Sequence, residues 1–361
     1  MDFEREKPYN DLPELPPKSE IETKVILKKT IKANTALAKL VGSARQLPNQ
    51  SMLINSISLQ EAKVSSEIEN VVTTNDELYQ AYASEKKVKD PNTKEVLHYQ
   101  DALWYGYQFV KDKDVITTNL LIDLMNIIKE TNVGIRKTSG TRIKNPLTDE
   151  IIYSPPESEV ILFQKTKNLE NYINIDDDGI DPLIKMTVIH YQFEAIHPFH
   201  DGNGRTGRIL NIIYLIYKDL LPIPILYLSK YILDNKKEYY KNIREITEQG
   251  KWEQWILYML DAVELTSKYT QDKIDNILSL MIETKKFIRN EAPQIYSKEL
   301  LEILFRHPYC KRKFLVQEGI VKEKTAGTYL KKLEKIGLLK SVKIGTEKLY
   351  INTKLFDVLI Q

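Results

Sequence analysis

Residues 197–208 read HPFHDGNGRTGR: two histidines, three glycines, two arginines, one aspartate and one asparagine in twelve positions. The 361-residue chain has only 13 glycines and 5 histidines, so the concentration marks a site. Gly202 and Gly204 lack side chains and let backbone N–H groups approach a ligand closely. Successive N–H groups in such a turn form an anion nest. The chain is expected to be helical from Thr206 onward, which puts the nest at a helix N-terminus where the dipole favours phosphate. Arg205 and Arg208 add guanidiniums able to grip phosphate bidentately. A Walker loop is excluded, because no Gly-Lys-Ser/Thr ending follows. Asp201 beside this cradle suits Mg2+, which takes few protein oxygens together with phosphate oxygens. His197, with an ordinary pKa of about 6.5, suits general-base work near neutral pH. A base, a metal carboxylate and a phosphate nest together spell attack of a hydroxyl on a nucleotide phosphate.

Outward from this stretch the chain reads as mainly α. Pro182 to Ile196 leads into it as a buried central helix carrying Leu183, Met186, Val188, Ile189 and Phe193. Further helical patterns are expected over 20–44, 59–71, 79–83, 99–110 and 118–131, then from about 157, and over 209–218, 228–247 and 252–290. The segment GIRKTSGTRIKNPLTDEIIYSPP, residues 134–156, alternates and ends in Pro-Pro. It reads as a β-hairpin with its tip near 146–150. Residues 8–17, PYNDLPELPP, are punctuated by proline and should lie as a strap across another element. Near Pro293 the style changes. Three helical patterns, 297–305, 311–317 and 322–336, precede an alternating stretch around Gly345-Thr346, the element order of a winged helix. The expected organisation is an N-terminal helical region over 1–110, a core over 111–290 and a winged helix over 293–361.

Composition bounds the function. Hydrophobic residues are 42% and charged residues 28%, ordinary for a globular protein. The single cysteine, Cys310, excludes an intrachain disulfide or a cysteine zinc site and fits a reducing compartment. No apolar run approaches the ~20 residues of a membrane helix, and MDFEREKPYN has no apolar signal core. The expectation is a cytoplasmic protein without a membrane partner. Net charge is +2, yet Ser297–Gln361 holds 14 Lys/Arg and 7 Asp/Glu. That +7 leaves about −5 elsewhere, so the basic excess is C-terminal.

HPFHDGNGRTGR resembles the signature of the Fic (filamentation induced by cAMP) family, HPFx[D/E]GN[G/K]RxxR, at every fixed position. PYNDLPELPP, LVGSARQLPNQSMLI, EAKVSSEIEN and YQFEAIHPF extend the likeness over roughly residues 8–260. The resemblance implies a Fic-type helical bundle with a β-hairpin flap. It implies transfer of AMP from ATP to a Ser, Thr or Tyr hydroxyl of a target protein, releasing pyrophosphate. His197 would be the base and Asp201 the Mg2+ ligand. Gly202, Asn203 and Gly204 would form the anion hole, and Arg205 and Arg208 would orient the far phosphates, in a nucleotide-binding stretch that includes Thr206 and Gly207. Thr141, Arg142, Ile143 and Lys144 of the flap would dock the target segment by strand addition. Tyr239 and Tyr240 fall where family members wall the adenine pocket. A homodimer is also implied.

SSEIEN, residues 65–70, resembles the inhibitory motif [S/T]xxxE[G/N] of the same family. Ser65 and Glu69 are four apart and share a helix face. By the resemblance Glu69, followed by Asn70, pairs with Arg208 and turns ATP into an unproductive pose; in some relatives the same glutamate also positions a water that removes AMP from the modified target. Two other readings compete. A nucleotide-sensing regulator would use the basic winged helix to bind DNA, although residues 322–336 carry lysines and no arginine for reading bases. Another group, such as phosphocholine, would be transferred on the same cradle. His190, Glu194, His197 and His200 invite a metal reading, but His190 lies in an apolar helix and is expected to be a hydrogen-bonded core residue, and His200 is expected to be a loop side chain.

Overall fold

The helix leading into the motif, Pro182–Ile196, buries 13 of its 15 residues, which makes it the axis of the core. Asp181 caps its start by accepting from the Leu183 N–H at 2.8 Å, and Pro182 supplies a preset first turn. A computed structural model describes residues 3–47, 50–84, 88–144, 149–175, 178–344 and 347–360. In chain order the helices are α1 (Lys24–Ala44), α2 (Ser51–Ile68), α3 (Asn75–Ala83), α4 (Pro91–Lys113), α5 (Thr118–Lys129), α6 (Glu159–Ile173) and α7 (Pro182–Ile196). They continue as α8 (Asn203–Tyr217), α9 (Leu228–Asp234), α10 (Lys236–Gln249), α11 (Trp252–Glu291), α12 (Lys298–Arg306), α13 (Arg312–Gln317), α14 (Glu323–Lys335) and α15 (Thr353–Ile360). The fold is mainly α, with two small sheets among the described residues.

α7 packs against α6, α8 and α11, and α4 and α5 close over α8. α11 runs for 40 residues, ~60 Å, and lies along α1. The first sheet pairs β1 (Ile143–Lys144) with β2 (Ile151–Tyr153) in antiparallel register. This is the expected hairpin; residues 145–148 of its tip lie outside the described residues. The proline-rich strap crosses it. Tyr9 donates its N–H to the Ser154 carbonyl at 2.9 Å, Gln192 donates to the Pro13 carbonyl at 2.9 Å, and Asn168 bonds both backbone groups of Leu15. Leu12 and Leu15 are buried beneath it.

Several elements depart from the sequence expectation. α2 begins at Ser51 rather than at 59, and it ends at Ile68 rather than at 71. Its end is a Schellman closure: Val71 N–H to Ser66 O and Asn70 N–H to Glu67 O, both 3.0 Å, with Asn70 at φ +62°. The pattern over 228–247 is two helices, broken at Asn235, whose side chain bonds the Tyr231 carbonyl at 3.0 Å. α8 begins at Asn203, three residues before the helical start expected at Thr206.

In the C-terminal segment α12, α13 and α14 precede a hairpin of β4 (Lys340–Ile344) and β5 (Glu347–Ile351). The expected turn residues Gly345 and Thr346 lie outside the described residues. A third strand, β3 (Tyr309–Cys310), pairs with β5, and α15 follows. β3 is too short for alternation to reveal, and α15 is held by tertiary contacts, including Lys273 donating to the Leu359 carbonyl at 2.7 Å. This segment packs on α2, α3 and α11.

Candidate active site

The loop between α7 and α8 is shaped by its own side chains. His197 ends α7 in the left-handed conformation, φ +49°, with its N–H on the Phe193 carbonyl at 3.0 Å. Gly202, at φ +83°, starts α8, where an L side chain would be strained. Asn203 accepts from the Phe199 N–H at 2.9 Å and donates to the Phe199 carbonyl at 2.7 Å. Its side chain therefore closes the loop, which leaves the backbone N–H of Asn203 as its group for the expected anion hole. The backbone N–H groups of Asn203, Gly204 and Arg205 stand in the first turn of α8, where no intrahelical partner exists. Arg136, buried at 1% exposure, grips the loop from outside. It donates to the carbonyls of His197 at 2.8 Å, Ile196 at 3.4 Å and Pro156, and its own N–H reaches Pro198 O at 2.9 Å.

His197 is held neutral. Burial and the nearby Arg136 charge bring its pKa down to about 4, so at neutral pH the ring is an unprotonated base. Asp201 has a 64% exposed side chain beside the start of α8. Partial burial pushes its pKa up, but Lys129 at 2.6 Å and the Gly202 N–H at 2.6 Å outweigh that and hold it below the usual carboxylate range. Lys129, from the end of α5, also donates to Glu95 of α4 at 2.7 Å. Glu95 in turn pairs with Arg205, which is 2% exposed. Arg205 is thus engaged with a carboxylate, while its Nε and the Thr206 hydroxyl have no partner among the described residues.

Arg208 is held by α2. It donates from Nε to Ser65 Oγ at 2.8 Å and from Nη2 to Ser65 O and Glu69 Oε1, both at 2.9 Å. Burial pushes Glu69 up, yet Arg208 overrides it and lowers the carboxyl below its usual range. The carboxylate lies on the first turn of α8: a Cβ on Gly204 would sit 2.3 Å from Glu69 Oε1. Asn70 takes the left-handed position that lets the chain turn away immediately after Glu69. α2 is pinned twice more. Lys236 donates to the Ile68 carbonyl at 2.5 Å, and buried Glu61 accepts from the Ser229 N–H at 3.0 Å and from Tyr99 at 3.3 Å.

Beside Glu69 opens a cavity of about 390 Å³, within the range of small-molecule sites. Glu194, Lys236, Tyr239 and Tyr240 line one side, and Ile143, Lys144 and Tyr153 of the hairpin line the other. Thr141 and Arg142 precede β1 and do not line it. Tyr240 is 48% exposed, whereas Tyr239 is buried with its hydroxyl 2.8 Å from His190 Nε2. Tyr239 therefore supports the wall more than it offers a surface. His190 stacks on Trp255 at 5.8 Å and is a core residue. Arg136, Lys129, Glu95 and Glu61 escaped the sequence reading. Each acts on a partner at least 34 residues away, so no local spacing announces it.

Three stretches of the chain match models of known protein families. The Fic/DOC family N-terminal model matches residues 27–108, the Fic/DOC family model matches 115–215, and the C-terminal domain model of SoFic-like protein adenylyltransferases matches 280–355. The chain belongs to the Fic/DOC family. Among its relatives, a probable protein adenylyltransferase of Aquifex aeolicus is 26% identical over 273 residues, 74% of this chain and 75% of that protein. The protein adenylyltransferase Fic-1 of Caenorhabditis elegans is 22% identical over 149 residues, 41% of this chain and 27% of that protein. A Fic family protein from Desulfovibrio desulfuricans G20 shares the fold at TM-score 0.58 and 17% identity, covering 93% of this chain and 98% of that one. A Fic domain protein from Bacteroides thetaiotaomicron shares it at TM-score 0.54 and 15% identity, covering 68% and 95%.

Proposed function

We propose that this site transfers AMP from ATP to a Ser, Thr or Tyr hydroxyl of a protein target. The chain is a protein adenylyltransferase. One observation carries the mechanism: a neutral His197 ends α7 just before the loop into α8, and its neighbours Glu194 and Ala195 line a cavity of nucleoside size. His197 accepts the hydroxyl proton as the oxygen attacks the α-phosphorus. The α–β bridging P–O bond breaks and pyrophosphate leaves. The Asn203–Arg205 amides and the orphan donors of Arg205 and Thr206 suit phosphate oxygens. Tyr240 and the hairpin residues Ile143 and Lys144 bound the nucleoside and the target segment. Asp201, half-exposed and flanked by the helix start, fits a Mg2+ ion that takes one protein carboxylate and phosphate oxygens; bound there, the ion would neutralise phosphate charge. Among the described residues no group of three or more His, Cys, Asp or Glu side chains could hold a metal ion.

Glu69 is the brake in this proposal. It occupies the turn of α8 and the arginine that a correctly seated triphosphate needs, and we also assign it the water-orienting role if AMP is removed again. The test labels a lysate with ATP carrying label at the α-phosphate, with a γ-labelled control. Wild type, Glu69→Gly and Glu69→Gly/His197→Ala are compared. Label from the α position alone, strong in the first variant and absent in the double variant, is expected; equal labelling with and without His197 rejects the base assignment. The proposed setting is cytoplasmic and dimeric. No helix among the described residues is long and apolar enough to cross a membrane, and light scattering checks the dimer.

A second reading rests on α14. Lys324, Thr328, Lys331 and Lys335 are exposed and share one face, and the three lysines have no acidic partner among the described residues. As a winged helix this segment would hold DNA by phosphate contacts, with the nucleotide site as a sensor. Loss of a gel shift on deleting residues 293–361 supports that reading; no shift by the full chain at low salt removes it.

A further inference from the structure

Four charges meet at the mouth of the α7–α8 loop, three from separate helices and one from the loop itself. Asp201 and Glu95 are the anions, and Lys129 and Arg205 are the cations. Lys129 Nζ lies 2.6 Å from Asp201 Oδ2 and 2.7 Å from Glu95 Oε1, bridging the two carboxylates. Its stem runs past Gly202, with Cγ and Cδ 3.5 and 3.8 Å from where a Cβ would stand. We propose that Lys129 is a tethered placeholder for the divalent cation: it neutralises Asp201 while no metal is bound and retreats onto Glu95 when one enters. This deepens the reading of Asp201 as the cation ligand and rests on it.

The geometry makes the exchange necessary. An ammonium 2.6 Å from a carboxylate oxygen and a divalent ion ~2.1 Å from the same carboxylate compete for space, and they repel one another. Glu95 gives the displaced ammonium a second partner already in contact, so displacement strands no buried charge. The cluster is also balanced as it stands, with two negative and two positive side chains. A bare divalent ion would leave it over-positive, whereas an ion arriving with a triphosphate would not. Lys129 therefore couples cation binding to nucleotide binding and discourages metal from occupying the empty enzyme. It is a positioning residue, since it acts through Asp201.

The test titrates Mn2+ into the full-length protein without nucleotide, reading free Mn2+ by electron paramagnetic resonance. Lys129→Met is expected to bind Mn2+ roughly tenfold more tightly than wild type, the scale of removing one like charge about 5 Å from a divalent ion in a water-rich setting. Lys129→Arg should stay weak. Glu95→Gln removes the refuge and should weaken binding further. Asp201→Asn separates the two levels of the argument. If it abolishes binding while Lys129→Met equals wild type, the placeholder is wrong and the Asp201 assignment stands. If Mn2+ still binds tightly to Asp201→Asn, the assignment itself fails and the placeholder falls with it. Should Lys129→Met not fold, the Lys129→Arg and Glu95→Gln arms decide alone: binding tighter than wild type in Glu95→Gln overturns the exchange.

Discussion

Replacing Glu69 with glycine removes the carboxylate from the first turn of α8 and frees Arg208. The structure supplies both signs of the effect. Arg208 is 1% exposed, and losing the carboxylate it is paired with leaves a buried cation whose hydrogen bonds among the described residues go to Ser65. Breaking a fully buried pair costs about 3–5 kcal/mol. Glu69 is 34% exposed, so solvent screens the pair and about 1–2 kcal/mol is a better figure. In a protein of this size that lowers the melting temperature by a few degrees. The same ~1–2 kcal/mol no longer opposes seating of the terminal phosphates, which corresponds to roughly 5–30-fold in productive binding. The variant should thus be less stable empty, more active, and more strongly stabilised by ATP than wild type. Initial rates of AMP incorporation and melting curves with and without ATP measure all three. A folded Glu69→Gly protein with wild-type rate and wild-type ATP-induced shift would refute the reasoning, because the carboxylate would then not compete with nucleotide.

Other outcomes follow from the same geometry. His197 and His190 have pKa values lowered to about 4 and about 3 against an ordinary 6.5. The unfolded chain gains protons near 6.5 that the folded chain refuses, so both residues destabilise the protein as pH falls from about 6.5 toward 4. Buried Glu61 and Glu194, pushed up to about 7, act in the opposite sense over that window, so the comparison is with His197→Gln: its denaturation midpoint should fall less with pH than that of wild type, and an unchanged pH dependence would mean that His197 titrates normally. Asn203→Ala strips both Phe199 backbone groups of their partner and should cost about 1–3 kcal/mol together with activity, seen in melts and rates. Asn70→Val forces a β-branched residue into φ +62°, weakening the end of α2 by about 1–2 kcal/mol, and should raise basal labelling; Asn70→Gly should do neither.

Much of the chemistry was legible in the linear chain because it is local. Gly202, Asn203, Gly204, Arg205 and Arg208 are consecutive or one helical turn apart, and the start of a helix converts them into an anion site by backbone geometry alone. The burial of α7 and the crossing strap were readable for a similar reason: apolar content and proline spacing act within a few residues. The hairpin was readable as alternation, although only Ile143 and Lys144 of the expected flap residues reach the cavity. The end of α2 was misread by three residues, since helical periodicity does not report the Asn70 conformation that stops it.

Long-range electrostatics was beyond the sequence. Spacing puts Ser65 and Glu69 on one face, but only packing of α2 against α8 brings that face to Arg208 at 2.9 Å. Nothing near Arg136 shows that it grips three carbonyls of distant segments. The Glu95–Lys129–Asp201–Arg205 cluster joins α4, α5 and the motif across more than 100 residues of chain. Residue type and period determine which groups can do chemistry. Which charge meets which, at what burial and therefore with what proton affinity, is set by the packing of helices far apart in sequence, because Coulomb energy depends on separation in space and on exclusion of water.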